Sequence, residues 1–182
     1  MKRFAMLFML VVLCIFHLSA YAEEVAYSEE REYSLTIHEY DEDGVTCYVL
    51  LRDDGSMVNE PTPFEIYELR GSAKVDVEVY ACFFYDPDDH WFDAEMDAIY
   101  IPSLDYFSGF IYTDVQWNDV YISAAYGGDY GYLDMKGNVV IPFQWSYGQL
   151  FDNGIAKVTY RTSYGYANAY IDTTGKIVGL VE

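Results

Sequence analysis

The stretch Tyr130-Gly131-Tyr132-Leu133-Asp134-Met135-Lys136-Gly137-Asn138-Val139-Val140-Ile141-Pro142 reads as two apolar runs joined across a Lys-Gly pair. A tight turn between strands needs a positive φ, which glycine reaches without steric cost, so the stretch predicts a β-hairpin turning at Gly137. Sliding the chain on itself by 38 positions sets Val120-Tyr121-Ile122 on Val158-Thr159-Tyr160, Tyr126-Gly127 on Tyr164-Gly165, and Tyr132-Leu133-Asp134 on Tyr170-Ile171-Asp172. Gly137 then falls on Gly175, and Val139-Val140 on Ile177-Val178, without a gap. A fixed period of this length marks a repeat architecture, in which a unit buries its apolar face only when a neighbour stacks on it.

A more worn copy lies upstream, where Leu51-Arg52-Asp53-Asp54-Gly55-Ser56-Met57-Val58 mirrors Leu133 to Val140, and Gly71-Ser72-Ala73-Lys74-Val75 mirrors Gly154 to Val158. Between the copies, Ile101-Pro102 echoes Ile141-Pro142 and anchors a degenerate unit. The units therefore run near 46–75, 76–119, 120–158 and, in part, 159–182. Val75-Asp76-Val77-Glu78-Val79 alternates strictly, which sets valines on one face of a strand and carboxylates on the other. No helical stripe appears, although Asp93 to Ala98 has the propensity for one helical turn. Residues 23–45, with a strand expected at Tyr33 to His38 and a turn at Asp41-Glu42-Asp43-Gly44, form an acidic N-terminal cap over an otherwise open edge. The expected fold is all-β, with tandem hairpin or meander repeats stacked as a small solenoid-like or propeller-like array.

Tyr130-Gly131-Tyr132-Leu133-Asp134-x-x-Gly137, then Val140-Ile141-Pro142, then Phe151-x-x-Gly154-Ile155-Ala156, resembles the WG repeat of bacterial secreted and surface proteins. The likeness is strongest over residues 120–178. It departs where the family has Trp-Gly, which is Tyr130-Gly131 here and Asn168-Ala169 in the next copy. The resemblance implies an all-β repeat array used as a binding module, and it carries no catalytic residues over.

Met1-Lys2-Arg3, an apolar run from Phe4 to Phe16, and the small residues Ala20 and Ala22 flanking Tyr21 read as a signal peptide over residues 1–22. The run is too short to span a bilayer, and nothing later is apolar for long enough. The expectation is an extracytoplasmic protein, secreted or held in the periplasm or at the cell surface, with no membrane insertion after cleavage. Losing Lys2 and Arg3 leaves 8 basic against 30 acidic residues, so the formal charge moves from -20 to -22. So negative a surface repels phosphate, which excludes nucleic acid as a partner.

Asp86, Asp88 and Asp89 form the densest group of oxygen ligands, but the spacing lacks the glycine and glutamate of an EF-hand, so they make a weak calcium candidate. No zinc spacing occurs and no other cofactor is implied. Cys47 and Cys82 are a candidate disulfide in an oxidising compartment, with two buried free thiols as the alternative. Of the 20 tyrosines, Tyr132 and Tyr170, with Trp145 and Phe151, are expected in the repeat core. Tyr126, Tyr130 and Tyr164 flank turn glycines and are the candidate binding residues, placed for stacking on a sugar or a peptide. The function expected is a non-catalytic binding or interaction module for a basic protein or peptide or for a cell-envelope polysaccharide. The alternatives are a secreted hydrolase using an acid pair among Asp86 to Asp97, and a calcium-stabilised structural spacer.

Overall fold

A computed structural model describes residues 33–71, 75–84 and 94–181. The signal-peptide segment 1–22, residues 23–32 of the cap, and Asp86, Asp88 and Asp89 lie outside the described residues. Apart from one 3-10 turn at Pro102–Leu104, every regular element among them is a strand. β1 (Thr36–Glu42) and β2 (Val45–Leu51) form an antiparallel hairpin. A four-stranded sheet follows from β3 (Ile66–Gly71), β4 (Glu78–Phe84), β5 (Ala94–Ile101) and β6 (Tyr106–Phe107). β7 (Thr113–Trp117), β8 (Tyr121–Tyr126), β9 (Asp129–Asp134) and β10 (Val139–Trp145) make the third sheet. The fourth contains β11 (Tyr147–Gly148), β12 (Ile155–Thr162), β13 (Gly165–Asp172) and β14 (Ile177–Leu180). Each is an antiparallel meander with strands adjacent in chain order, so the protein is all-β and built from hairpin repeats, as its sequence leads one to expect.

Three apolar cores lie between successive sheets. Leu50 of the hairpin meets Ile66, Tyr80, Cys82 and Tyr100 of the second sheet. Val79, Ile99 and Ile101, on the other face of that sheet, meet Val115, Ile122, Ala124 and Leu133 of the third. Tyr132, Ile141 and Trp145, from the far face of the third sheet, meet Ala156, Val158, Ala169 and Ile171 of the fourth. Because side chains alternate along a strand, a sheet between two cores is apolar on both faces.

The three glycine turns are built alike. Asp134 N–H donates to Asn138 O and Gly137 N–H to Asp134 O, at 2.8 and 3.0 Å; Asp172 with Lys176, and Arg52 with Ser56, repeat the pattern around Gly175 and Gly55. The φ values of Gly55, Gly137 and Gly175 are 80°, 81° and 79°. Strand pairing matches too, since Leu51 faces Met57, Leu133 faces Val139 and Ile171 faces Ile177. Under the 38-residue shift β9 falls on β13 in register, but β8 matches β12 at 34 residues, since Asp134 faces Tyr121 and Asp172 faces Ile155; the later hairpin is four residues longer, so Val120-Tyr121-Ile122 does not superpose on Val158-Thr159-Tyr160.

Four further expectations change. Residues 94–98 are strand within β5, not a helical turn, because Asp97 to Ile101 are buried and the sheet ladder outweighs local propensity. The first strand starts at Thr36 and runs to Glu42, later than read, and turns through Asp43 and Gly44, both at positive φ. Ile101 closes a third strand whereas Ile141 lies within a fourth, so the Ile-Pro echo joins positions that the fold does not superpose. Glu78 alternates with Val77 and Val79 as read, yet it is buried, not solvated. Its carboxylate accepts from Ser34 N–H, the Ser34 hydroxyl and the Tyr80 hydroxyl at 2.7 to 3.2 Å, because the second sheet is covered on both sides.

Candidate functional site

Tyr126 ends β8, just before the Gly127-Gly128 turn into β9, and Tyr164 lies within the corresponding turn between β12 and β13. Tyr164 is 100% exposed and Tyr126 52%. Gly127, Gly128 and Gly165 hold positive φ there, so these turns close without bulky neighbours. Tyr126 leans on Phe143 and Tyr112, with centroid separations of 5.6 and 6.2 Å. Tyr130 differs: it is half-buried, its ring meets Tyr147 at 5.2 Å, and its hydroxyl donates to Asp114 Oδ2 at 2.6 Å. Burial, then the bond to Asp114, raises its phenol well above the ordinary value. The structure thus sets Tyr126 and Tyr164 at corresponding hairpin ends of neighbouring sheets and holds Tyr130 within packed structure.

Of the four expected core aromatics, Tyr132, Trp145 and Phe151 are buried and Tyr170 is not, being 41% exposed. Tyr132 is covered because the fourth sheet lies over it. Its ring meets Phe151 at 4.8 Å and its hydroxyl donates to Gln149 O at 2.7 Å. Tyr170 occupies the same repeat position on a face that no described strand covers.

Clefts open on the surface among the described residues. Arg70, Gln116, Trp117 and Leu150 line one of about 270 Å³, in which the Arg70 guanidinium sits 5.3 Å from the Trp117 ring centroid and donates to Val115 O. That cation–π pair was missed in the sequence because its members belong to different sheets and are joined only by the fold. Val75, Asp76, Asp119 and Met135 line another, of about 190 Å³, and Asp76 accepts from Ser103 N–H at 3.0 Å. Both volumes fall below the roughly 300 to 1,000 Å³ of small-molecule pockets.

Asp97 is buried on β5. Its Oδ2 accepts from Val115 N–H at 3.1 Å, while Oδ1 has no partner among the described residues. Burial raises its carboxyl above the ordinary value, against the Val115 hydrogen bond that lowers it. Among the described residues no group of three or more His, Cys, Asp or Glu side chains is placed to hold a metal ion. Cys47 and Cys82 are both buried free thiols, and burial pushes Cys82 up to about 11.

No curated protein and no solved structure matches the chain. Residues 130–161, which start in β9 and end in β12 and so cross from the third sheet into the fourth, match the family model of the WG containing repeat.

Proposed function

We propose that the chain is exported and acts as a non-catalytic binding module, which holds a basic protein or peptide on an acidic, tyrosine-bearing surface. The observation that carries this reading is the exposure of Tyr126 and Tyr164 at the corresponding hairpin ends of neighbouring sheets. Rings held out by rigid turns lose little conformational freedom on binding and present an apolar face with a polar tip. A net charge of -20 adds long-range attraction for a cationic partner, which needs no special geometry. Export rests on the leader-like residues 1–22.

Capture of a lysine-rich peptide by the mature protein is the test. Affinity should drop steeply as the Debye length shrinks from about 30 Å at 0.01 M salt to about 8 Å at 0.15 M. It should drop again when Tyr126 and Tyr164 are changed together to alanine, by about 1 kcal/mol per ring. Capture indifferent to both salt and the double substitution would refute the reading.

A further inference from the structure

The sheet of β11 to β14 has one face in the core it shares with the third sheet and one that no described strand covers. Ala156, Val158, Ala169 and Ile171 form the covered face. The residues alternating with them form cross-strand pairs on the open face, where Lys157 stands opposite Tyr170, Thr159 opposite Asn168, and Arg161 opposite Tyr166. One repeat earlier, the strand pairing puts Ser123 at the position of Lys157, Ala125 at that of Thr159 and Tyr130 at that of Asn168, and Ser123 and Tyr130 lie beneath or pack against the fourth sheet. The exchange of Ser123, Ala125 and Tyr130 for Lys157, Thr159 and Asn168 makes the open face compatible with water and unsuited to another apolar sheet.

What the face suits follows from its charge. The chain has 10 Lys and Arg residues against 30 Asp and Glu, yet two cations stand here on one strand, about 13 Å apart for four residues at roughly 3.3 Å each. Asp172 is the single carboxylate among the β12 and β13 residues of this face, and it is turned into its own hairpin. It accepts from the Thr174 and Lys176 N–H groups at 2.9 and 3.1 Å and from the Thr174 hydroxyl at 2.6 Å. Between the two cation–tyrosine pairs, the Thr159 hydroxyl and Asn168 Oδ1 are joined at 2.7 Å, which ties β12 to β13 across the middle of the strip. Tyr166 is 69% exposed and Tyr170 41%.

We propose that this face binds a linear carboxylated polysaccharide, with Lys157 and Arg161 pairing its carboxylates and Tyr166 and Tyr170 stacking on its sugar rings. Guanidinium forks match carboxylate geometry, and flat aromatic faces match the C–H faces of sugars. An acidic peptide would satisfy the cations but offers no ring face for the two tyrosines. This site is distinct from the turn tyrosines and carries the opposite charge preference, so either site can fail without the other.

The salt dependence is distinctive. At 0.01 M salt, where the Debye length is about 30 Å, the whole acidic surface repels a polyanion; at 0.15 M it is about 8 Å, and the local strip decides. Binding of polygalacturonate to the full mature protein should therefore strengthen from 0.01 to 0.15 M salt and weaken again towards 1 M. The double variant Lys157→Gln/Arg161→Gln should lose about tenfold or more in affinity, and so should Tyr166→Ala/Tyr170→Ala. Lys136→Gln, which removes one positive charge at an exposed turn, should leave affinity unchanged. None of the four positions lies in the core, so each variant should melt close to the parent, which a thermal scan checks. No binding of polygalacturonate, equal binding of poly-glutamate or neutral dextran, or an equal loss in Lys136→Gln would each overturn the proposal.

Discussion

Gly55 and Gly137 adopt the same left-handed backbone in turns with the same two hydrogen bonds, but their surroundings differ. A Cβ on Gly55 would meet nothing within 4 Å, whereas one on Gly137 would come within 2.5 Å of the Tyr106 ring on β6 of the preceding sheet. Gly175 is pressed in the same way against Ile141 of the sheet before it, at 3.0 Å. The glycine thus serves the turn everywhere and the sheet contact only where a sheet precedes. Gly55→Ala should cost about 1 kcal/mol from backbone strain, and Gly137→Ala about 2 to 4 kcal/mol, since the Tyr106 ring must also move. Urea unfolding of the two variants measures the difference; equal losses would detach Gly137 from the sheet contact. Asp97 gives a second prediction. Its carboxyl is raised from 3.8 chiefly by burial, so its contribution is fully present below the unfolded pKa and is lost as pH rises through the folded one. Asp97→Asn removes the ionisation, and its stability relative to wild type should therefore increase from pH 3 towards neutrality. A difference that stays flat or falls with pH would mean the carboxylate is not desolvated.

Tyr132 and Tyr170 are the same residue at the same position of successive β-strands, β9 and β13, and the elements around them decide their energetics. Tyr132→Ala empties a site closed by Phe151 and Trp145 and should cost about 3 to 5 kcal/mol, while Tyr170→Ala should cost less than about 1 kcal/mol. Chemical denaturation of the pair reads this directly, and comparable costs would show that the two faces are equally covered. The repeat, the hairpins and the turn glycines were legible in the sequence because they are local or periodic: Asp134-x-x-Gly137 names its own turn, and a 38-residue echo needs only alignment. Exposure of Tyr126 and Tyr164 followed from their place beside turn glycines. What failed was set by neighbours far along the chain. Tyr170 looks like Tyr132 until the covering sheet is considered. Glu78 looks solvated in Val77-Glu78-Val79 until Ser34 arrives from 44 positions away. Arg70 and Trp117 meet only because β3 and β7 belong to adjoining sheets. The strand at Ala94–Ile101 has helical propensity in its first residues, which burial within the sheet overrides.

Across the molecule, the repeat in sequence and the sheet in space are out of phase, and this explains how the array holds together. Residues 130–161 contribute two strands to the third sheet and two to the fourth, and they include six of the eight buried residues of the core between them. One repeat therefore builds one core, not one sheet, so every core is stitched by continuous chain and neighbouring sheets are bound covalently as well as by packing. Stability in such an array is close to a sum of interfaces, and a sheet lying between two cores should open less readily than one lying against a single core. The third sheet has cores on both faces; the fourth has one core and the open, cation-bearing face. Native-state amide hydrogen exchange, read strand by strand, tests this most directly. The account predicts that amides of β8 and β9 exchange more slowly than those of β12 and β13, with β14 fastest of the paired strands. Equal protection in the two sheets, or slower exchange in β13 than in β9, would contradict a stack in which one repeat builds one core.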